Sequence, residues 1–547
     1  MYRRISNMAL AAAAAMLTWC LVFLLAACGN SETDDKYGKY GVYYEIFVRS
    51  FADSDGDGIG DIRGLTSMLD YLNDGNDDTD TDLGINGIYL MPVNVSPSYH
   101  KYDVTDYYDI DPEYGTLEDF EHFLDEAHKR GIRVIMDLVV NHTGRDHPWF
   151  RESSSSAESR YRDYYNWADE ASEGCDINAV LPSGSRLWHR SNGSFYYGYF
   201  WDGMPDLNYD DPRVRKEIKD IARFWLKKGV DGFRLDAAMH IYGVYEKPAG
   251  TDLPAKNIEW WQEFRNSAEE VKRDVYLVGE VWDKAYAAAP YYKGFDSLFN
   301  FDLGEGIITT LHTGSANAVS SKGFAWWLLD RYETYGSVRQ DFIDAPFLTN
   351  HDQDRIMTRL RGDVEKAKLA AAIYLTLPGN PFIYYGEEIG MTGSKPDEMI
   401  RVPFKWYEEH KLPQCSWQSA LNNAATVPVE IQQNDPDSLL SHYKKLIRVR
   451  QSSEALMLGG FEPVQSGNRA VIAYERSWSD GNGKDNAIVL YNVSSDHQQV
   501  QLDIKHFSAD VIFDSGKTDL KAGNGTEADR LVIVMSPMST VILDVDK

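Results

Sequence analysis

GFRLDAAMH, Gly232 to His240, reads as a short strand that ends in charge. Phe233 and Leu235 alternate with Arg234 and Asp236, and small residues follow. Side chains two apart on a strand share a face, so the guanidinium and the carboxylate point the same way. By itself the pair is either a structural ion bridge or part of a site. The segments around it decide which.

From about Tyr40 to Gln451, short apolar runs alternate with amphipathic helical patterns. Eight strand candidates follow one another: Val42–Phe47, Gly87–Met91, Arg133–Val140, Gly232–Leu235, Val275–Gly279, Asp296–Phe301, Ala345–Leu348 and Pro381–Tyr385. Between the second and third, Thr116 suits an N-cap, Asp119 completes a capping pattern and Gly131 suits the C′ position. Before the fourth, Asp211-Pro212 opens a helix that Gly229 closes. This rhythm predicts an α/β fold, a (β/α)8 TIM barrel. About seventy residues after the third strand break it, too many for a bare loop. They are rich in aromatics (RYRDYYNW, SFYYGYFWDG) and predict an inserted subdomain. Beyond Met457 the period becomes two, which predicts a C-terminal antiparallel β-sandwich. The expected boundaries are 40–141 and 211–456 for the barrel, 142–210 for the insert and 457–547 for the sandwich.

Arg3 and Arg4 precede an apolar run, Met8 to Ala27, that ends Leu25-Ala26-Ala27-Cys28. A basic start, an apolar middle and small residues before a cut site describe a secretory signal, residues 1–27. A cysteine directly after Leu-Ala-Ala resembles a bacterial lipoprotein box, with Cys28 the lipidated residue and 28–39 a tether. An uncleaved membrane anchor is the alternative reading. Either one places the body outside the cytoplasm, lipid-anchored at a bacterial surface or released. Only Cys175 and Cys415 remain in that body, and their pairing is left open. The formal charge of −29 argues against nucleic acid and leaves room for a hard cation and a neutral substrate. The membrane is expected to be touched only through the anchor, and the protein to be a monomer.

Polar residues at the C-terminal ends of barrel strands face one mouth. Asp137, Asn141 and His142 end the third strand, Arg234 and Asp236 the fourth and Glu280 the fifth, and His351 and Asp352 follow the seventh. Burying so much charge is costly unless the charge is used. DLVVNH (137–142), GFRLDAAMH, GEVW (279–282), FLTNHD (347–352) and MPDLN (204–208) together resemble the α-amylase family, glycoside hydrolase family 13, over nearly the whole mature length. The likeness runs to bacterial lipoprotein α-amylases intermediate between oligo-1,6-glucosidases and neopullulanases.

The resemblance implies a retaining glycoside hydrolase with Asp236 as nucleophile, Glu280 as general acid/base and Asp352 as transition-state stabiliser. Retention needs two carboxyls about 5–5.5 Å apart. Arg234 is then expected to keep Asp236 charged and aimed. Tyr102 and Asp103, in SPSYHKYDVTDY, would meet the sugar together with His142 and His351. Arg401, in IRVPFKW, resembles an arginine that holds Asp103 and the sugar. DSDGDGIGD places oxygens at Asp53, Asp55, Asp57, the Ile59 carbonyl and Asp61, a spacing suited to Ca²⁺. It looks like an EF-hand loop, although Gly64 stands at the twelfth position. The expected substrate is an α-glucan or maltooligosaccharide cut at α-1,4 bonds. MPDLN and YYGEEIGM keep open an α-glucosidase, oligo-1,6-glucosidase, neopullulanase-like or transglycosylase reading on short α-glucosides. A sugar-capture lipoprotein without catalysis is the reading from another class, and the three acids oppose it.

Overall fold

The computed structural model describes residues 37–76, 78–170, 175–243, 250–481, 483–503, 509–522 and 530–545. The signal segment, Cys28 and all of the tether before Tyr37 lie outside the described residues. Residues 39–547 form one compact unit. Among the described residues no helix is long and apolar enough to cross a membrane.

Eight parallel strands make the barrel: β1 (Tyr43–Ile46), β2 (Gly87–Leu90), β3 (Arg133–Leu138), β4 (Gly232–Leu235), β5 (Tyr276–Gly279), β6 (Ser297–Phe299), β7 (Ile343–Ala345) and β8 (Phe382–Tyr384). They run β7-β6-β5-β4-β3-β2-β1-β8. The seam closes through a parallel bridge between Phe347 and Phe382, and Asn380 N donates to Asp344 O at 2.8 Å. Two expected strands differ. The seventh ends at Ala345 because Pro346, which has no N–H, interrupts the ladder. The sixth ends at Phe299 because the Asn300 side chain accepts from Leu303 N and opens a helix at Phe301.

Alternation along each strand decides what fills the barrel. Tyr43, Tyr89, Ile135, Tyr276, Val278, Phe299 and Phe382 point inward and form a closed apolar cluster. Tyr43 stacks on Phe382 at 5.0 Å and meets Tyr276 at 5.1 Å. The other parity packs on the helices: Tyr44, Ile46, Ile88, Val134, Phe233 and Leu277 join the outer core. Helix α1 (Leu117–Lys129) starts on the capping box of Thr116 and Asp119, as its sequence predicts. Helix α2 (Pro212–Lys228) starts at Asp211 and stops at Gly229, whose φ of 110° is left-handed.

The insert after β3 holds helix Pro148–Ser155 and a three-stranded sheet of Trp167–Ala168, Ser194–Tyr197 and Trp188–Ser191. Rings hold it together: Phe150 stacks on Trp167 at 5.8 Å and meets Tyr196 at 4.7 Å. Asp206, in MPDLN, pins the way back to the barrel, with Asp206 N donating to Tyr197 O at 3.0 Å.

At the C-terminus a five-stranded antiparallel sheet faces a three-stranded one across Val471, Ile488, Leu490, Val500, Ile533 and Leu543. The last apolar run divides into Arg530–Met535 and Ser539–Val545 at a turn through Met538, φ 45°. Helix α3 (Val364–Leu375) is apolar on nearly every side, because the barrel covers one flank and this sheet the other. The joint uses two fully buried arginines. Arg450 donates to Leu375 O (2.7 Å) and Leu377 O (2.8 Å), and Arg476 to Thr376 O (2.6 Å) and Gly459 O (2.9 Å). These carbonyls lie where a helix leaves acceptors unmet, so the cations complete them.

Gly232, at the start of β4, has the tightest approach among the described glycines: a Cβ there would sit 1.9 Å from Tyr276 O. Gly232→Ala is expected to push β4 off β5 and to lower stability by about 1–3 kcal/mol, read by urea unfolding. A variant as stable as the parent would show that β4 has slack.

Candidate active site

Strand parity delivers the charged groups to one mouth. Glu45 lies on β1, Asp137 on β3 and Arg234 on β4, with Asp236 just beyond β4 and Glu280 just beyond β5. Arg234 is the hub and is 1% exposed. Its Nη1 donates to Asp137 Oδ2 at 2.9 Å and to Asp236 Oδ1 at 2.6 Å, and its Nη2 lies 2.9 Å from Glu280 Oε2. Asp137 is completed by the hydroxyls of Tyr89 (2.7 Å) and Tyr102 (2.9 Å), so its charge is fully solvated by protein.

One cation thus serves three acids in a buried space. Burial pushes the Asp236 carboxyl up to about 8; Arg234 opposes the rise, and the charges of Glu280 and Asp137 add to it. Arg234 favours the ionised form and aims the carboxylate through its 2.6 Å contact, although the guanidinium is divided among three carboxylates. Asp236 therefore holds its proton more tightly than an ordinary carboxyl. Glu280 is aimed by Ala237 N, which donates to its Oε2 at 2.8 Å. Ala237 reaches that pose at φ 49°, a left-handed conformation that costs a side-chain-bearing residue about 1–3 kcal/mol.

The opposite wall is built differently. Burial works against ionisation of Asp352, but His351, Arg401 and Arg234 hold it well below the usual carboxylate range. Arg401 Nη2 donates to Asp352 Oδ1 at 2.9 Å and to Asp397 Oδ2 at 3.0 Å. Arg401 was expected to hold Asp103, and the structure gives Asp103 other partners: Ser96 Oγ at 2.6 Å and Ser98 Oγ. Tyr102 and Asp103 sit on a loop fixed by Lys101, left-handed at φ 63°, whose ammonium pairs with Asp111 at 2.8 Å and Glu113 at 2.6 Å. His142 is buried, which lowers it to about 4, and its Nε2–H donates to Tyr102 O at 3.1 Å. The ring nitrogens of His142 and His351 are thus engaged by protein groups. Glu45, Ser96, Ser98, Ala237 and Asp397 were not anticipated as site residues. Glu45 had a signal, as the lone acid in the apolar strand VYYEIF.

Away from the mouth, Asp53, Asp55 and Asp61 bring carboxylate oxygens within 4.8 Å of one another. Among the described residues none of the three is paired with a lysine or arginine. Gly56 and Gly58 curl the loop at φ 87° and 93°. Three hard anionic oxygens in one place fit a hard cation such as Ca²⁺. Asp57 is not in this trio: its Oδ1 accepts Ile59 N at 2.7 Å. Cys175 and Cys415 are both free thiols.

Residues 45–459 match the family model described as alpha amylase, catalytic domain. The chain is 43% identical over 515 residues to alpha-amylase 3 of Dictyoglomus thermophilum, covering 94% of each. It is 31% identical over 526 residues to the oligo-1,6-glucosidase of Parageobacillus thermoglucosidasius, covering 83% of this chain and 90% of that one. Among solved structures, the alpha-amylase from H. orenii aligns with a TM-score of 0.84 at 47% identity, over 93% of this chain and 100% of that one.

The Asp236 shift has a stability signature. The folded value lies above the unfolded one of about 4, so stability is lost as pH climbs from about 4 through 8. Asp236→Asn is expected to raise the melting midpoint over the parent at pH 8 by about 2–4 °C, with the gain fading below pH 4. Calorimetry at both pH values checks this.

Proposed function

The chain belongs to the alpha-amylase family, and from that premise we propose the following division of labour among its residues. The protein is a retaining glycoside hydrolase that cleaves α-1,4-glucosidic bonds in starch and maltodextrins. Asp236 attacks the anomeric carbon while Glu280 protonates the departing oxygen; Glu280, now a base, then activates water to release the sugar. The observation that carries this reading is the single guanidinium between them. Nη1 reaches Asp236 at 2.6 Å and Nη2 reaches Glu280 at 2.9 Å, so both acids face one place, where a retaining mechanism needs its nucleophile and its acid/base. Glu280 supplies the proton, and the ionised form of Asp236, favoured by Arg234, supplies the nucleophile. Asp352, kept anionic, faces the positive charge that develops on the ring.

Tyr102, Asp103, His142, His351, Arg234 and Arg401 surround the sugar in this reading, with Arg401 acting through Asp352. Trp282, two residues past Glu280 and 53% exposed, stacks flat on Phe301 at 4.3 Å and offers a face for a neutral glucan. Ca²⁺, held by Asp53, Asp55 and Asp61, would supply a structural tie across that loop. The N-terminal signal and Cys28 would anchor a monomer at the bacterial surface. A second reading, cleavage of α-1,6 bonds or glucosyl transfer on short α-glucosides, is favoured by the likeness to an oligo-1,6-glucosidase.

Glu280→Gln is expected to lower kcat/KM on maltooligosaccharides at least about 10³-fold with the fold intact. In the wild type, NMR of the first product should show the α anomer; a β product would overturn the retaining assignment. Isomaltose cleaved faster than maltotriose would instead favour the second reading. Removal of divalent ions with EDTA is expected to lower the melting midpoint, with recovery on adding Ca²⁺ and none for Asp53→Asn. A midpoint indifferent to EDTA would sink the calcium proposal.

A further inference from the structure

Glu45 is a buried acid of the barrel mouth that the reaction scheme leaves without a task. It shares the inward face of β1 with Tyr43 and is 2% exposed. An unpaired carboxylate there would cost several kcal/mol, so its partner is informative. That partner is His351, whose Nδ1 lies 2.5 Å from Glu45 Oε1. The other ring nitrogen, Nε2, lies 3.1 Å from Asp352 Oδ2 and 2.6 Å from the Tyr102 hydroxyl. Tyr102 spends its own proton on Asp137 Oδ2, at 2.9 Å, and so accepts from His351. Each nitrogen of the imidazole therefore faces acceptors, and a neutral ring has only one N–H to give.

We propose that Glu45 is a positioning residue: its carboxylate keeps His351 as an imidazolium, and the imidazolium holds Asp352 ionised and aimed at the sugar. The proposal rests on the glycosidase reading above. Glu45 reaches no reacting atom and acts through two neighbours. Burial alone would lower His351, yet the charges of Asp352 and Glu45 raise it to about 10. The remaining groups around the pair do not supply that effect. Arg401 donates to His351 O and Asp352 and disfavours a second positive charge. Arg234 contributes the same sign from β4, Tyr102 and Asp137 are already paired, and Tyr89 on β2 and Tyr384 on β8 are buried phenols that stay neutral.

The test is Glu45→Gln, which keeps an oxygen for the Nδ1–H and removes only the charge. His351 then titrates nearer its ordinary value of about 6.5. Relative to wild type, kcat/KM is expected to fall about tenfold between pH 7 and 8, mainly in kcat, and to recover to within about threefold below pH 6, where the ring protonates unaided. Glu45→Asp, which keeps the charge, should retain the wild-type pH profile even at a lower rate. A loss that is equal at every pH, or none, would overturn the proposal and reduce Glu45 to packing. Should Glu45→Gln not fold, the wild type answers alone. Its downfield imidazolium N–H proton resonances, assigned by difference from His351→Gln, must persist to pH 9; disappearance by pH 7.5 refutes the idea. Failure of the glycosidase reading would show separately, as full activity in Glu280→Gln.

Discussion

Everything at the mouth of the barrel depends on one guanidinium placed among three carboxylates. Arg234 cannot leave the charged state, is buried and donates to acids carried by three neighbouring strands, β3, β4 and β5. Their parallel register puts Asp137 opposite Arg234, and Arg234 opposite Val278, two residues before Glu280. A slip of one residue would turn any of these side chains into the outer core. The cation and the ladder therefore enforce each other: the ladder sets the spacing of the acids, and the cation offsets the cost of bringing them together.

The site divides into two electrostatic halves. On the Asp236–Glu280 side, burial and neighbouring acids raise Asp236, so a proton can be held and moved. On the Asp352 side, Arg401 and His351 both touch the one carboxylate of Asp352, so its charge is fixed. Proton transfer needs the first condition, and stabilising an oxocarbenium-like ring needs the second. The same fold provides both because the residues on the two sides come from opposite arcs of the barrel, β4 and β5 against β7 and the loop that carries Arg401.

Much of this was legible in the residues themselves. Period-two alternation placed Arg234 and Asp236 on one face, and apolar runs separated by capped helices gave the barrel. What escaped was non-local. The partner of Arg401 is set by loops more than forty residues apart, and no local pattern distinguishes Asp352 from Asp103 as its acceptor. The rise of Asp236 comes first from burial and then from the acids around it, which strand spacing alone does not count. The seventh strand lies at Ile343–Ala345 rather than Ala345–Leu348 because Pro346 lacks an N–H, a signal present in the sequence but outweighed there by the apolar run around it. Glu45 went unassigned because its partner lies about three hundred residues along the chain.

The joint between barrel and C-terminal sheet has an implication for acid tolerance. Among the described residues, neither Arg450 nor Arg476 relies on a carboxylate; both bind peptide oxygens, which do not titrate. Acidification that neutralises aspartates and glutamates, and so dissolves ordinary ion pairs, leaves this seam with the same donors and acceptors it had before. A falling pH would thus be felt at the cleft long before it loosened the architecture behind it.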